Sequence, residues 1–252
     1  MTRPSAARRA SVDPVRGQAW LPFLAGFLAI WGMLYAVGSL DSGGRLGLLG
    51  LAVTLAAAVA WEWLLDRARL RDILERLGLG RPGLRSLAAA ALAAAAIACV
   101  YPLFTLVSGE TVALRPNWIW LAIGLYAYHG LAEEIAWRGY AFRRLRAGRS
   151  FWGAVLWTMP LIAATHAPIV FASGPAIGVG AMAVAAVTTI PLAHLYELGG
   201  RTVWAPALVH AAIDSFKLVV IPASATASFS FLLIGVSLSV PLLAFVFPRR
   251  ES

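Results

Sequence analysis

The sequence predicts an all-α fold, a polytopic membrane helix bundle of about eight transmembrane helices around a central intramembrane cavity, and three observations carry that prediction. Hydrophobic residues fill 60% of the 252 positions and charged residues only 13%, where a soluble domain carries about 25% charged. Mean hydropathy is +0.76. Eight apolar runs can be read along the chain, each near the roughly 20 residues that cross a hydrocarbon core as a helix.

The runs are Trp20 to Val37, Leu46 to Leu65, Leu87 to Val107, Trp118 to Ala136, Phe151 to Ala172, Ala176 to Leu198, Thr202 to Val220 and Phe229 to Phe247. Ahead of the first lies a basic tail, residues 1–17, and the rest forms a single transmembrane domain over 18–248. The first run is longer than the apolar core of a cleavable signal, so a retained helix is expected despite the small residues at Ala36 to Gly38. Between the second and third runs, Leu70, Ile73, Leu74 and Leu77 recur at helical spacing among arginines, before Gly78, Gly80 and Pro82 break the pattern. That loop reads either as a short amphipathic helix at the cytoplasmic interface or as an ordinary basic loop.

A formal charge of +9 raises nucleic acid as a partner, and the placement of the charge excludes it. With eight spans, one side of the membrane receives 18 of the 21 basic residues, leaving Arg45, Arg115 and Lys217 for the other. This alternation is the positive-inside pattern, and it puts both termini in the cytoplasm, with the arginines facing lipid headgroups. Lys217 is the single lysine, and the arginine and alanine bias hints at a bacterial inner membrane. Cys99 stands alone, so a disulfide within the chain and a cysteine metal cluster are both excluded. Lying among alanines, it reads as a small buried apolar residue.

Charges inside the apolar runs are what the lipid-crossing reading leaves unexplained. An ionisable group at bilayer depth costs at least about 2.5 kcal/mol on the most lenient scale, so it marks a functional site by default. The fourth run holds Glu133, Glu134 and Arg138. Residues four apart share a helix face, which pairs Glu134 with Arg138 and leaves Glu133 projecting about 100° away, without a local cation. A carboxyl so placed suits a general base, whereas a structural ion-pair network is the plainer reading of the triplet. His166 sits between Pro160 and Pro168, where a bent helix can line a cavity. His210 and Asp214 are four apart on one face. At 1.5 Å per residue, Glu133 and His210 lie about 15 and 14 Å from their basic boundaries, and His166 about 22 Å from Phe151. His129, four before Glu133, reads as a packing residue or an extra ligand. His194 and Glu197 read as interfacial, and Lys217 either snorkels outward or pairs with Asp214.

The ordered set of Glu133-Glu134-Ile-Ala-Trp-Arg138-Gly139, a histidine in the next span, and Val203 to Asp214 with His210 and Asp214 resembles the CAAX-processing and bacteriocin-self-immunity (CPBP) intramembrane endopeptidases over roughly Tyr128 to Phe216, inside a core at about 118–220. The resemblance implies that Glu133 and His166 activate the attacking water, that Glu134 and Arg138 support them, and that His210 and Asp214 stabilise the oxyanion. Two departures stand out. Ile162 occupies a position that is usually Phe, and Asp214 one that is often Asn. The resemblance favours a glutamate-dependent mechanism with no cofactor. Were zinc used instead, Glu133, His166 and His210 are acceptable ligand types.

Peptide hydrolysis in a membrane-anchored protein or peptide, near its C-terminus, is therefore the expected activity. A proton-coupled transporter is the second reading, disfavoured because the charged motifs fall in one half of the chain and show no repeat. A non-catalytic scaffold or immunity protein is the third, and has no need of Glu133, His166 and His210 together.

Overall fold

A computed structural model describes residues 15–41 and 43–249. The tail predicted over residues 1–17 falls largely outside them. Helices dominate: α1 (Trp20–Leu40), α2 (Gly47–Asp66), α3 (Leu70–Arg76), α4 (Leu84–Ala98), α5 (Val100–Ser108), α6 (Trp118–Leu125), α7 (Arg143–Arg146), α8 (Phe151–Thr165), α9 (Pro168–Ser173), α10 (Pro175–Leu198), α11 (Trp204–Ile213) and α12 (Thr226–Ser239). Between α6 and α7 the helix continues but widens into π-helical turns over Tyr126–Ala132 and Ile135–Phe142. A two-stranded antiparallel ribbon pairs β1 (Ala113–Leu114) with β2 (Val219–Val220).

Among the described residues, six helical stretches are long and apolar enough to cross a membrane: Trp20–Leu40, Gly47–Asp66, Leu84–Ser108, Phe151–Ala172, Pro175–Leu198 and Ala223–Val246. The other two predicted spans, Trp118 to Ala136 and Thr202 to Val220, are interrupted by the π turns and by a 3-10 segment at Asp214–Leu218. Those two carry the charges. Large apolar side chains stand on the outward surface, with Phe171 90% and Leu84 83% exposed, as lipid contact requires.

Two clusters form the interior. In one, Phe23, Phe27 and Ile30 of α1 meet Trp137, Tyr140 and Phe142 of the π segment, with Ala154 and Ile162 of α8. In the other, Ala89, Ala90 and Ala93 of α4 lie against Leu192 and Leu195 of α10 and Val209 of α11. Small side chains let helix backbones approach where lipid offers no hydrophobic drive between helices. A close approach joins α2 to α6: a Cβ on Gly47 would stand 1.9 Å from the carbonyl oxygen of Gly124, so any side chain there forces the helices apart. Ahead of α2, Asp41 turns the chain by accepting N–H bonds from Gly43 at 3.0 Å and Leu46 at 2.8 Å.

Several sequence expectations are corrected here. The loop after α2 does contain a helix, but Ile73 and Leu77 are buried in the protein core, so its apolar face serves packing more than the interface. Cys99 is exposed, because at the α4–α5 junction Ile97 and Val100 turn inward and leave Cys99 facing out. His194 is 2% exposed and donates through Nε2 to the Phe247 carbonyl at 2.9 Å, since the 3-10 segment Val240–Val246 leads the chain back over α10. Glu197 clamps Arg146 at 2.6 Å and Arg249 at 2.9 Å.

Candidate active site

The widened helix puts two carboxylates into different company. Glu134, wholly buried, accepts from Arg138 Nη1 at 2.6 Å and from His210 Nδ1 at 2.8 Å, both on Oε1. The predicted Glu134–Arg138 pair is therefore present, and α11 is tied to it through His210. Glu133 lies beside it, 9% exposed. Its Oε1 is 2.7 Å from His129 Nδ1, and its Oε2 is 3.3 Å from Trp137 Nε1 and 3.5 Å from His210 Nε2. The expectation that Glu133 lacks a local cation is thus corrected: two imidazoles flank it. A π turn places successive side chains differently from an α turn, and such turns recur at functional sites.

Gly139, directly after Arg138, is fixed by packing. A Cβ there would lie 2.3 Å from the Leu77 carbonyl oxygen, so only glycine lets the loop after α3 seat against this helix.

Asp214 is corrected in its partner. Its Oδ2 is 3.3 Å from His129 Nδ1 but 3.8 Å from His210 Nε2 on its own helix. The physical reason is that α11 ends at Ile213 and Asp214 opens a 3-10 segment, which turns its side chain off the α-helical face. Lys217, three residues on, lies 3.7 Å from Asp214 Oδ1, so it pairs as one of the two readings anticipated. It also lies 2.7 Å from His129 Nε2. Glu133, Glu134 and Asp214 thus share the site with two cationic side chains, Arg138 and Lys217.

His166 stands apart. Its Nδ1 donates to the Ile162 carbonyl at 2.9 Å and lies 3.2 Å from Thr165 Oγ1, and it makes no ion pair within 4.0 Å among the described residues. The local cause is proline. Pro168 opens α9, α8 closes at His166, and the His166 N–H bonds the Ala163 carbonyl, which frees that of Ile162 for the ring. A carbonyl can only accept, so Nδ1 carries the hydrogen and Nε2 is left as an acceptor. Glu133 and His210, matched in depth by sequence counting, meet; His166, counted deeper, does not meet them. Ile162 is buried in the core wall at 2% exposure.

Zinc finds no prepared set in this arrangement. Glu133 and His210 are near one another, but Glu133 is bonded to His129, His210 Nδ1 to Glu134, and His166 lies off the cluster; no group of three or more metal-ligating side chains is assembled among the described residues. Two surface hollows, about 610 Å³ beside Asn117, Trp118 and Ile123 and about 590 Å³ beside Leu70, Leu74 and Arg81, both lie away from Glu133, which packed side chains enclose.

Sequence reading missed two features. His129 and Lys217 were read singly, and the link between them joins residues 88 apart. The second is a buried cluster one helical turn beyond Arg138, where Arg143 and Arg144 reach Glu62 of α2 at 2.5 and 2.9 Å, with Glu62 wholly buried. An acid flanked by Trp61 and Trp63 in an apolar run was the available signal.

A polytopic helical protein thus assembles carboxylates and imidazoles inside its bundle, where charged groups are costly to keep without a use. Residues 115–216 match the family described as Type II CAAX prenyl endopeptidase Rce1-like. The match, which spans less than half of the chain, is a similarity to the CAAX-type (CPBP) intramembrane proteases and supports that family for this segment. Neither the curated proteins nor the solved structures yield a significant match.

Proposed function

We propose that the protein hydrolyses a peptide bond in a membrane-anchored protein or peptide, near its C-terminus. The observation that supports this most is Glu133: a carboxylate within the matched segment, held on Oε1 by His129, with Oε2 turned toward His210. In this reading Glu133 Oε2 takes a proton from water as the water oxygen attacks the scissile carbonyl. The resemblance assigns His166 to the same water, and its Nε2, left as an acceptor, is the atom that could receive a hydrogen from it. The developing oxyanion is met by His210 Nε2–H, and Glu134 with Arg138 holds that ring through Nδ1. Glu133 then hands its proton to the leaving nitrogen as the C–N bond breaks, which restores the carboxylate. Asp214 braces His129 and Lys217 more than it contacts the oxyanion. No metal enters these steps.

Comparison of the membrane proteome of cells carrying wild-type protein with cells carrying Glu133→Gln tests the reading and names the substrate. A terminal fragment present only with wild type is expected. Identical fragments across several growth conditions contradict it and favour the scaffold.

A further inference from the structure

Resting on the endopeptidase reading, we infer that Lys217 and His129 are positioning residues that hold Glu133 as the oriented base through a one-way chain of hydrogen-bond donors. The first observation is residue choice. Of 21 basic residues, Lys217 is the one that is not arginine, although arginine is used even at the buried sites of Arg138, Arg143 and Arg144. The second is geometry. Lys217 Nζ stands 2.7 Å from His129 Nε2, and His129 Nδ1 stands 2.7 Å from Glu133 Oε1.

Chemistry gives that chain a direction. An ammonium has donors and no acceptor, so His129 Nε2 must receive, and the ring's hydrogen sits on Nδ1, facing Glu133. An ionised carboxylate is acceptor-only, which closes the chain at Oε1. The ring nitrogen offers a single lone pair, which a compact ammonium fits and a wide planar guanidinium fork does not. The ring is further fixed from two sides. The edge of Tyr128 meets it at 4.8 Å between centroids, with planes at 77°, and the Tyr128 hydroxyl is anchored to the Leu34 carbonyl of α1. Asp214 lies 3.3 Å from Nδ1 and 3.7 Å from Lys217 Nζ, and the 3-10 segment at Asp214–Leu218 stacks these two side chains at i and i+3.

Two consequences follow for Glu133. Its Oε1 is committed to His129, so Oε2, facing Trp137 and His210, is the atom left to take the proton of water. The donor that holds it is an imidazole N–H, whereas Glu134 is held by a permanent guanidinium. Lys217 acts at one remove, by fixing which nitrogen of His129 bears hydrogen.

The test uses the full chain in liposomes with a membrane-embedded peptide substrate, comparing wild type, Glu133→Gln, Lys217→Met, Lys217→Arg and His129→Gln at matched folded amounts. Lys217→Met is expected to lower kcat about ten- to a hundredfold with KM unchanged, as loss of orientation does when substrate binding is untouched. Lys217→Arg, keeping donors in poorer geometry, should recover part of that loss. Selective 15N labelling of histidine supplies a readout besides activity: His129 should show protonated Nδ1 and bare Nε2 in wild type and a mixed tautomer in Lys217→Met. An unchanged kcat, or an unchanged His129 signature, in Lys217→Met overturns the inference while wild type still cleaves and Glu133→Gln does not. If wild type and Glu133→Gln behave alike, the endopeptidase reading itself falls.

Discussion

Two buried charge clusters share the helical stretch from Trp118 to Arg146, and they are built from different residue types. Nearer α7, Glu62 meets Arg143 and Arg144, with no histidine in the contact set. A helical turn back, Glu133 and Glu134 meet Arg138, His129 and His210. Arginine stays charged at any pH a protein meets, so the first cluster can fasten helices and do little else. Imidazole gains and loses protons near neutrality and offers both a donor and an acceptor, so the second can move a proton. Burial is alike in both, and it is the imidazoles that separate a clamp from a site.

Glu134 straddles the two kinds, and its substitution has the largest expected effect. Glu134→Ala strips the acceptor from buried Arg138 and from His210 together. It should cost about 3–5 kcal/mol of stability and abolish cleavage, read by melting in detergent and by peptide cleavage in the same preparation. Glu62→Ala leaves Arg143 and Arg144 buried without their carboxylate, and a loss of about 3–5 kcal/mol is again expected. Here cleavage per folded molecule should survive. If activity per folded molecule drops with Glu62 as it does with Glu134, the distinction between clamp and site collapses.

Smaller effects concern the frame that carries both clusters. Gly47→Ala drives a methyl into the Gly124 carbonyl and should cost about 1–3 kcal/mol, measured as an earlier melt. At Asp41, outside the spans, burial opposes ionisation, but N–H bonds from Leu46, Gly43 and Arg45 outweigh it and hold the carboxyl below its ordinary value. A depressed folded value stabilises the fold above the unfolded pKa of about 3.9 and loses that contribution as pH falls through the folded one. Asp41→Asn should therefore melt a few degrees early at pH 7, within about 3 °C, with the gap beginning to close near pH 4 and vanishing only as pH falls through the folded value. Parallel melting curves at both pH values would falsify the assignment.

Much of this contrast could be read from the chain, and the rest has physical reasons for staying hidden. The apolar runs follow from composition, and the Glu134–Arg138 pair from a four-residue interval. The meeting of Glu133 with His210 was anticipated by equal depth, a one-dimensional measure that serves well for straight helices. The nearness of His129 to Glu133 follows from the same four-residue interval, whereas the bond from Trp137 falls where the helix widens into π turns, which have no residue signature. The turn of Asp214 away from His210 depends on α11 ending one residue earlier, which the apolar pattern does not mark. Glu62 went unread because an acid near the end of a span resembles an interfacial residue, and its arginines come from 81 and 82 positions along.

The most direct measurement is the initial cleavage rate of a membrane-embedded peptide by purified protein in liposomes, for wild type, Glu133→Gln and Glu62→Ala, each normalised to folded protein. Glu133→Gln should lose about 10²- to 10⁴-fold, the span expected for removal of a general base, with its melting temperature nearly unchanged, while Glu62→Ala keeps its rate and melts early. Equal rates for wild type and Glu133→Gln would contradict the account.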